Sequence, residues 1–312
     1  MSGTDSGTAS PAGLYSSVVT PHEKRAALRA ALAAPEICRL PGAFSPLVAR
    51  LIQDVGFEGV YVSGAVLSAD LALPDIGLTT LTEVVGRSRQ VARVTDLPVL
   101  VDADTGFGEP MSAARTISEL EDAGLAGCHL EDQVNPKRCG HLDGKAVVPV
   151  GDMVRRLGAA VSARRDDAFV ICARTDARAI DGLDAAIDRA RAYVDAGADM
   201  IFTEALADAA EFEAFRAAID VPLLANLTEF GKSELIGAAT LQEIGYDAVI
   251  YPVTTLRVAL GAVEDALREI ATTGTQTAWL DRMQHRERLY ELNRYADFTH
   301  FDSALFTKGF WQ

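Results

Sequence analysis

The chain has 312 residues, 49% of them hydrophobic, and a formal net charge of −15 from 44 acidic and 29 basic side chains. Such a length supports one barrel-sized domain or two smaller ones, and the charge excludes a nucleic-acid protein, which needs a basic footprint. An anionic ligand would have to meet a local cationic site, because the global field repels it.

In chain order, Met1 to about Thr20 is rich in Ser, Thr, Gly and Ala and reads as a poorly ordered arm. It lacks the basic and apolar regions of a secretory signal. No apolar run approaches the ~18 residues that cross a bilayer, so no membrane partner is expected. Short β-rich runs then alternate with helical stretches. The runs are 37–40, 59–63, 98–104, 127–132, 169–176, 200–204, 222–227 and 248–252. The amphipathic segments between them include Ser112–Ala123, Leu183–Ala196 and Ala209–Ala218, and several close on a glycine (Gly124, Gly197, Gly245), as a helix C-cap requires. Eight strand–helix units predict a closed parallel (β/α)8 barrel over 21–271. An open doubly wound sheet is the competitor, but no GxGxxG follows the first strand. Leu256–Ile270 and Thr277–Asp297 read as helical, and the last stretch, from Phe298, is aromatic-rich. Residues 272–312 read as a C-terminal helical extension and tail, and the tail from Phe298 is expected to pack either on a neighbouring subunit or on its own barrel. Cys38, Cys128 and Cys172 lie in strand-like runs and read as small core residues. A disulfide framework is unusual at this length, which points to reduced thiols and the cytoplasm.

In a barrel, chemistry sits where strands end. Six consecutive strand ends carry polar groups: Ser63; Asp102 and Asp104; His129 and Glu131; Arg174 and Asp176; Glu204; Asn226 and Thr228. The i, i+2 spacing within the pairs places both side chains on one face. Asp102, Asp104 and Glu131 suit Mg2+, with Mn2+ as the alternative, some of them acting through water. A capping role for Asp102 or Asp104 in the turn Thr105–Gly108 competes with that reading. Asp75 is a further acid, and His129 suits a hydrogen-bonding role beside all-oxygen ligands. Cys139 lies in Lys137-Arg138-Cys139-Gly140-His141. Neighbouring cations lower a thiol pKa from about 8.5. An ordinary surface cysteine, a nucleophile and a general acid or base all remain open on spacing alone. Arg174, Arg257 and Arg286 are candidates for bidentate carboxylate recognition.

Taken together, the motifs Tyr61-Val-Ser63-Gly64, Leu73-Pro-Asp75-Ile-Gly77, Val101-Asp-Ala-Asp104-Thr-Gly-Phe-Gly108, His129-Leu-Glu131-Asp-Gln133, Lys137-Arg-Cys-Gly-His141, Ala173-Arg-Thr-Asp176 and Asn226-Leu-Thr-Glu-Phe-Gly231 make the chain resemble the 2-methylisocitrate lyases of the isocitrate lyase/phosphoenolpyruvate mutase superfamily. The resemblance runs from about Leu32 to Tyr295. The cysteine loop is its specific signal: the phosphoenolpyruvate mutase branch generally lacks the cysteine, and isocitrate lyases typically have lysine where Arg138 stands. It implies a (β/α)8 barrel, Mg2+, a homotetramer (a dimer of dimers) that exchanges terminal helices, and cleavage of a tricarboxylate, 2-methylisocitrate, to pyruvate and succinate in propionate breakdown. It also implies that Asp102 and Asp104 hold the metal, with Asp75, His129 and Glu131 around it. Ser63, Gly64, Ala65, Cys139, Gly140, Arg174, Glu204, Asn226, Leu227, Thr228, Arg257 and Arg286 would contact substrate. Cys139 would be the general acid, with Tyr61, Arg174 and Glu131 assisting. Many relatives have glycine where this chain has Ala65. An isocitrate lyase, or an enzyme acting on another substituted malate or oxaloacetate, shares the motifs. A phosphonate enzyme is a further alternative, against which Cys139 argues.

Overall fold

A computed structural model describes residues 11–140, 144–231 and 233–307. Eight strands carry the frame: β1 Cys38–Pro41, β2 Val60–Val62, β3 Val99–Asp102, β4 Gly127–Glu131, β5 Val170–Thr175, β6 Met200–Thr203, β7 Leu223–Asn226 and β8 Ala248–Tyr251. Seven of the predicted runs contain one of them, the first run overlaps β1 and stops one residue short of its end, and all the strand pairings are parallel. β1 pairs with β8, and the ring comes round between β1 and β2 through a bridge at Gly42 and Tyr61. The predicted (β/α)8 barrel is therefore the observed fold. Helices such as Pro110–Asp122, Leu183–Asp195 and Ala209–Ala218 cover the outside. Gly124, Gly197 and Gly245 follow helices at φ 83°, 98° and 101°, as the expected C-caps require.

Period-two alternation sorts the strand residues into two cores. Outward-facing Val99, Val101, Cys128, Leu130, Ile171, Ile201, Leu223 and Val249 join the helices' apolar faces. Inward-facing Cys38, Leu40, Leu100, Val170, Cys172, Met200, Leu224 and Ala248 fill the barrel. The helix Pro21–Leu32 plugs the bottom, sending Leu28 and Leu32 into that interior cluster. Its start is fixed by a capping box between Thr20 and Glu23 and by Pro21 in the first turn. Cys38, Cys128 and Cys172 are buried, as expected, and none of the four cysteines is in a disulfide.

Two terminal expectations change. Within the stretch expected to be a loose arm, Pro11–Tyr15 is helical. Leu14 is buried, and Ser17 N–H donates to Arg93 O at 2.6 Å, so apolar burial and one backbone bond fix it. Residues 1–10 lie outside the described residues. At the other end, Thr254–Thr273 is one long helix, followed by a 3-10 turn at Thr277–Arg282 and helices at Arg286–Leu292 and Tyr295–Thr307. The aromatic-rich end is thus helical as far as 307. Its first aromatic, Phe298, meets Tyr15 edge-on at 5.4 Å, and Arg50 donates to Leu292 O at 2.8 Å. Phe310 and Trp311 lie outside the described residues. Among the described residues, no helix is long and apolar enough to cross a membrane.

Candidate active site

Along β3, β5, β6 and β7 the inward positions change from apolar to polar toward the C-terminal end. Leu100 is followed by Asp102, Cys172 by Arg174 and Leu224 by Asn226. Register then brings these groups side by side: Asp102 pairs with His129 and Glu131 with Arg174. Tyr61 OH lies 2.7 Å from His129 Nε2 with the two rings stacked, and Phe202 meets the imidazole edge-on. Burial lowers His129 to about 4, against the pull of Asp102, so the ring is neutral at pH 7. Burial and Asp102 together push the Tyr61 phenol up.

Asp104 lies beyond the end of β3, at φ 46°. Its N–H donates to Asp102 Oδ1 at 3.0 Å, and its carbonyl accepts from Glu131 N–H at 2.8 Å. That left-handed turn swings Asp104 back beside Asp102. Both carboxylates converge on the first turn of Gly64–Asp70. Gly64 N–H donates to Asp102 Oδ2 at 3.2 Å, and a Cβ on Gly64 would stand 2.9 Å from Asp102 Oδ2 and 3.4 Å from Asp104 Oδ1. Ser63 Oγ caps this helix through Val66 N–H.

A buried ammonium answers these acids. Lys137 Nζ is 2.8 Å from Asp104 Oδ1 and also bonds Asp75. Burial opposes its charge, but Asp104, Glu131, Asp102 and Asp75 outweigh burial and raise its pKa. Four acids around one ammonium cannot all ionise freely. Burial and neighbouring Asp102 lift Asp104 to about 6. Burial lifts Glu131 well above its ordinary range despite Arg174. Asp102 stays below its ordinary value: burial works against this, and the His129 ring, Lys137, Arg174 and Asp104 N–H outweigh it.

Arg174 forms the other half of the floor. It donates to Asp176 Oδ2 at 2.9 Å, lies 3.3 Å from Glu131 Oε2 and 3.7 Å from Glu204 Oε1, and sits over the Phe202 ring. Asn226 donates to Glu204 Oε2 at 3.3 Å. The loop carrying Cys139 closes over this floor. A Cβ on Gly140 would stand 2.0 Å from Glu204 Oε1 and 2.5 Å from Arg174 Nη2, so only glycine fits there. Loop and floor enclose a cavity of about 50 Å3. That space holds a few waters at roughly 10–15 Å3 each, so a larger ligand enters only when the loop moves.

Against this geometry stand the comparisons with known proteins. The family profile described as phosphoenolpyruvate phosphomutase matches residues 28–271. The chain belongs to the phosphoenolpyruvate phosphomutase family. It is 74% identical, over 95% of its own length and 96% of the relative's, to a Corynebacterium glutamicum protein called probable 2-methylisocitrate lyase 2. It is 42% identical to the 2-methylisocitrate lyase of Escherichia coli K12, over 92% and 98% of the two chains. Among solved structures it matches 2,3-dimethylmalate lyase, a PEP mutase/isocitrate lyase superfamily member, with TM-score 0.86 and 32% identity over 92% of this chain and 96% of that one. It also matches a phosphonopyruvate hydrolase in complex with oxalate and Mg2+, with TM-score 0.82 and 28% identity over 90% and 98%. The resemblance read from the motifs is borne out.

In this phosphomutase-family barrel most of the expected residues come together. Tyr61, Ser63, Ala65, Asp75, Asp102, Cys139, Gly140, Arg174, Glu204, Asn226 and Thr228 line the cavity under the loop. Gly64 touches Asp102, His129 and Glu131 are buried off this lining, and Asp104 faces a separate pocket of about 620 Å3 beside Gly77, Thr79, Thr105 and Asn135. Leu227 is buried, its N–H donating to Ile250 O at 3.0 Å, and is not on the cavity wall. Arg257 sits at the rim, paired with Glu229 Oε2 at 2.8 Å and 3.5 Å from Thr228 Oγ1. Arg286 is exposed at the start of its helix, away from the cavity. His141 lies outside the described residues. Sequence reasoning read Lys137 as a cation flanking the thiol rather than as the partner of the acids, and assigned no site role to Gln133 or Lys145. The signal for Lys137 was available, since a cation beside four acids has an obvious partner set. Lys145 follows a glycine in a polar turn and reads as solvated until the fold buries it.

Proposed function

We propose that the chain is a Mg2+-dependent carbon–carbon lyase that cleaves 2-methylisocitrate to pyruvate and succinate. The observation that carries this reading is a thiol-bearing loop, Lys137–Gly140, closed over a floor of carboxylates and one arginine. The names of the two relatives support the substrate.

The residues fit a hard divalent cation. The carboxylates around Asp102 offer oxygens, and Glu131 Oε1 is buried with no hydrogen-bond partner among the described residues, while Asp104 Oδ1 faces Lys137 Nζ at 2.8 Å. Lys137 already supplies positive charge between Asp104 and Asp75. Among the described residues no three ligating side chains close on one point, and Mg2+ typically keeps several waters and one or two carboxylates. Asp102 and Asp104 would hold it, with Asp75, Glu131 and His129 bounding the site. When bound, Mg2+ polarises the substrate's hydroxyl and carboxylate oxygens.

The chain's own groups do the rest. Arg174 and the loop's N–H groups bind substrate carboxylates. The raised phenol of Tyr61 supports a carboxylate of the floor as the base that takes the hydroxyl proton, with Tyr61 and His129 orienting it. As the C–C bond breaks, its electron pair passes to the succinate carbon. The Cys139 S–H delivers a proton there, completing succinate as the hydroxyl carbon becomes the pyruvate ketone. Ala65, in the lining, narrows the pocket by one methyl. The buried thiols of Cys38, Cys128 and Cys172, set among core residues, support a cytoplasmic setting. The exposed apolar side of Thr254–Thr273 supports a homotetramer built through the terminal helices.

The test is pyruvate release from 2-methylisocitrate with Mg2+, run beside isocitrate with glyoxylate measured. Pyruvate is expected from the first and little glyoxylate from the second. Cys139→Ser is expected to fold and to lose nearly all turnover. Glyoxylate without pyruvate would sink the substrate assignment.

A further inference from the structure

The cysteine loop is held from both sides by groups that the chemistry above does not use. Before Cys139, Gln133 grips the backbone of Arg138 twice. Its Nε2 donates to Arg138 O at 2.8 Å, and its Oε1 accepts from Arg138 N–H at 2.8 Å. After Cys139, Lys145 Nζ donates to Gly140 O and is anchored on Asp176 Oδ1 at 2.9 Å. The Lys145 side chain is 2% exposed and Gln133 is 1% exposed.

Both anchors lead to the barrel. Asp176 also holds Arg174, and its own N–H donates to Asp132 Oδ1 at 2.9 Å. Asp132 accepts in turn from Thr175 Oγ1 and Tyr193 OH, both at 2.8 Å. Gln133 follows directly on Glu131 and Asp132 at the end of β4. The peptides flanking the thiol are therefore tied to the ends of β4 and β5, the strands that carry Glu131 and Arg174. A buried ammonium bridging a carbonyl and a carboxylate has specific geometry and is costly to leave half-made.

We infer that Gln133 and Lys145 are positioning residues that clamp Arg138 and Gly140, and so set where the Cys139 thiol stands over the substrate. The inference rests on the lyase reading for its catalytic consequence but not for its structural one. A clamp of this kind acts after binding, on the geometry of proton delivery, where a displacement of about 1 Å costs up to about a hundredfold.

The experiment measures two things on the wild-type enzyme, Lys145→Met, Lys145→Arg and Gln133→Met. The first is the rate of Cys139 alkylation by iodoacetamide without substrate, read peptide by peptide. Cys38, Cys128 and Cys172 are at most 1% exposed and report any loss of fold. The second is the separation of kcat from KM with 2-methylisocitrate. Lys145→Met is expected to raise Cys139 alkylation about tenfold and lower kcat about tenfold or more with a smaller change in KM. Lys145→Arg should recover part of both, and Gln133→Met should resemble Lys145→Met. Wild-type alkylation and kcat in both Met variants overturn the inference. So does labelling of the three buried cysteines in both, which would make the two residues props of the barrel. A wild-type enzyme that yields no pyruvate sinks the lyase reading while leaving the alkylation comparison decisive for the clamp.

Discussion

Gly140 occupies a gap between Glu204 and Arg174 that any Cβ would overfill. Neither neighbour can give way cheaply, because Arg174 is fixed by Asp176 and Glu204 by Asn226. Overpacking of this kind costs about 1–3 kcal/mol, and the softer partner is the loop. Gly140→Ala should therefore push Cys139 off the floor. The expected outcome is a kcat lower by on the order of 10²-fold, with Tm down by only a few degrees, about 2–4 °C per kcal/mol in a chain of this size. Unchanged kcat would mean that the loop is open during the proton transfer. At this scale the sequence showed the floor better than its supports. Asp102, His129, Glu131 and Arg174 were visible because strand-end spacing aims them inward. Lys145 and Gln133 were not, because their roles are bonds to loop peptides, and nothing in residue type marks a side chain that serves a backbone. Arg257 and Arg286 show the converse: an arginine suits a carboxylate, but Arg257's carboxylate here is Glu229 at the rim.

The helix Pro21–Leu32 closes the bottom of the barrel, pairing Arg25 with Asp166 and Arg29 with Asp199 and reaching backbone carbonyls of the helix–strand turns. Arg25 donates to Leu125 O at 3.0 Å and Glu121 O at 2.7 Å, and Arg29 to Ala168 O at 3.1 Å. Lys24 donates to Ala92 O at 2.7 Å and Thr95 O at 2.5 Å. Carbonyls do not neutralise an ammonium as a carboxylate does, and burial lowers Lys24 to about 8, with Asp96 opposing. Between pH 8 and the unfolded value of 10.5 the unfolded chain binds more protons than the folded one. Stability from this group therefore rises with pH across that window, and its charging cost is fully present below pH 8. Relative to Lys24→Met, the wild type should gain about 2 kcal/mol from pH 8 to 9.5, at ~1.4 kcal/mol per unit. Urea midpoints of both proteins across that range measure it, and a constant difference would place the ammonium in water. The strands and the helices between them were legible in sequence because apolar alternation and glycine caps are local signals. The Pro11–Tyr15 helix was not: five residues cannot make a stable helix alone, and its order comes from Leu14 packing far from its own sequence.

Among the described residues, one long helix keeps most of an apolar face exposed. Thr254–Thr273 has 20 residues, and only Leu256 is buried. Leu260, Val263, Leu267 and Ile270 are 56%, 49%, 59% and 40% exposed. With Leu256 they follow spacings of four, three, four and three, the stripe that a second helix accepts in a coiled-coil seam. Full burial of one such side chain contributes roughly 1.5–3 kcal/mol, so in the proposed tetramer a stripe of four from each subunit would offset the mutual repulsion of chains carrying −15 each. Replacing Val263 and Leu267 together by Glu sets like charges into that seam without touching the barrel core. The double variant should keep its far-ultraviolet spectrum and lose assembly, falling from a tetramer to a smaller species in sedimentation at micromolar concentration. Its turnover separates two arrangements. If the terminal helices complete a neighbour's site, kcat falls with assembly; if they only hold subunits together, kcat per barrel survives. A wild-type protein that sediments as a monomer would sink the tetramer and leave the stripe to be explained by some other partner.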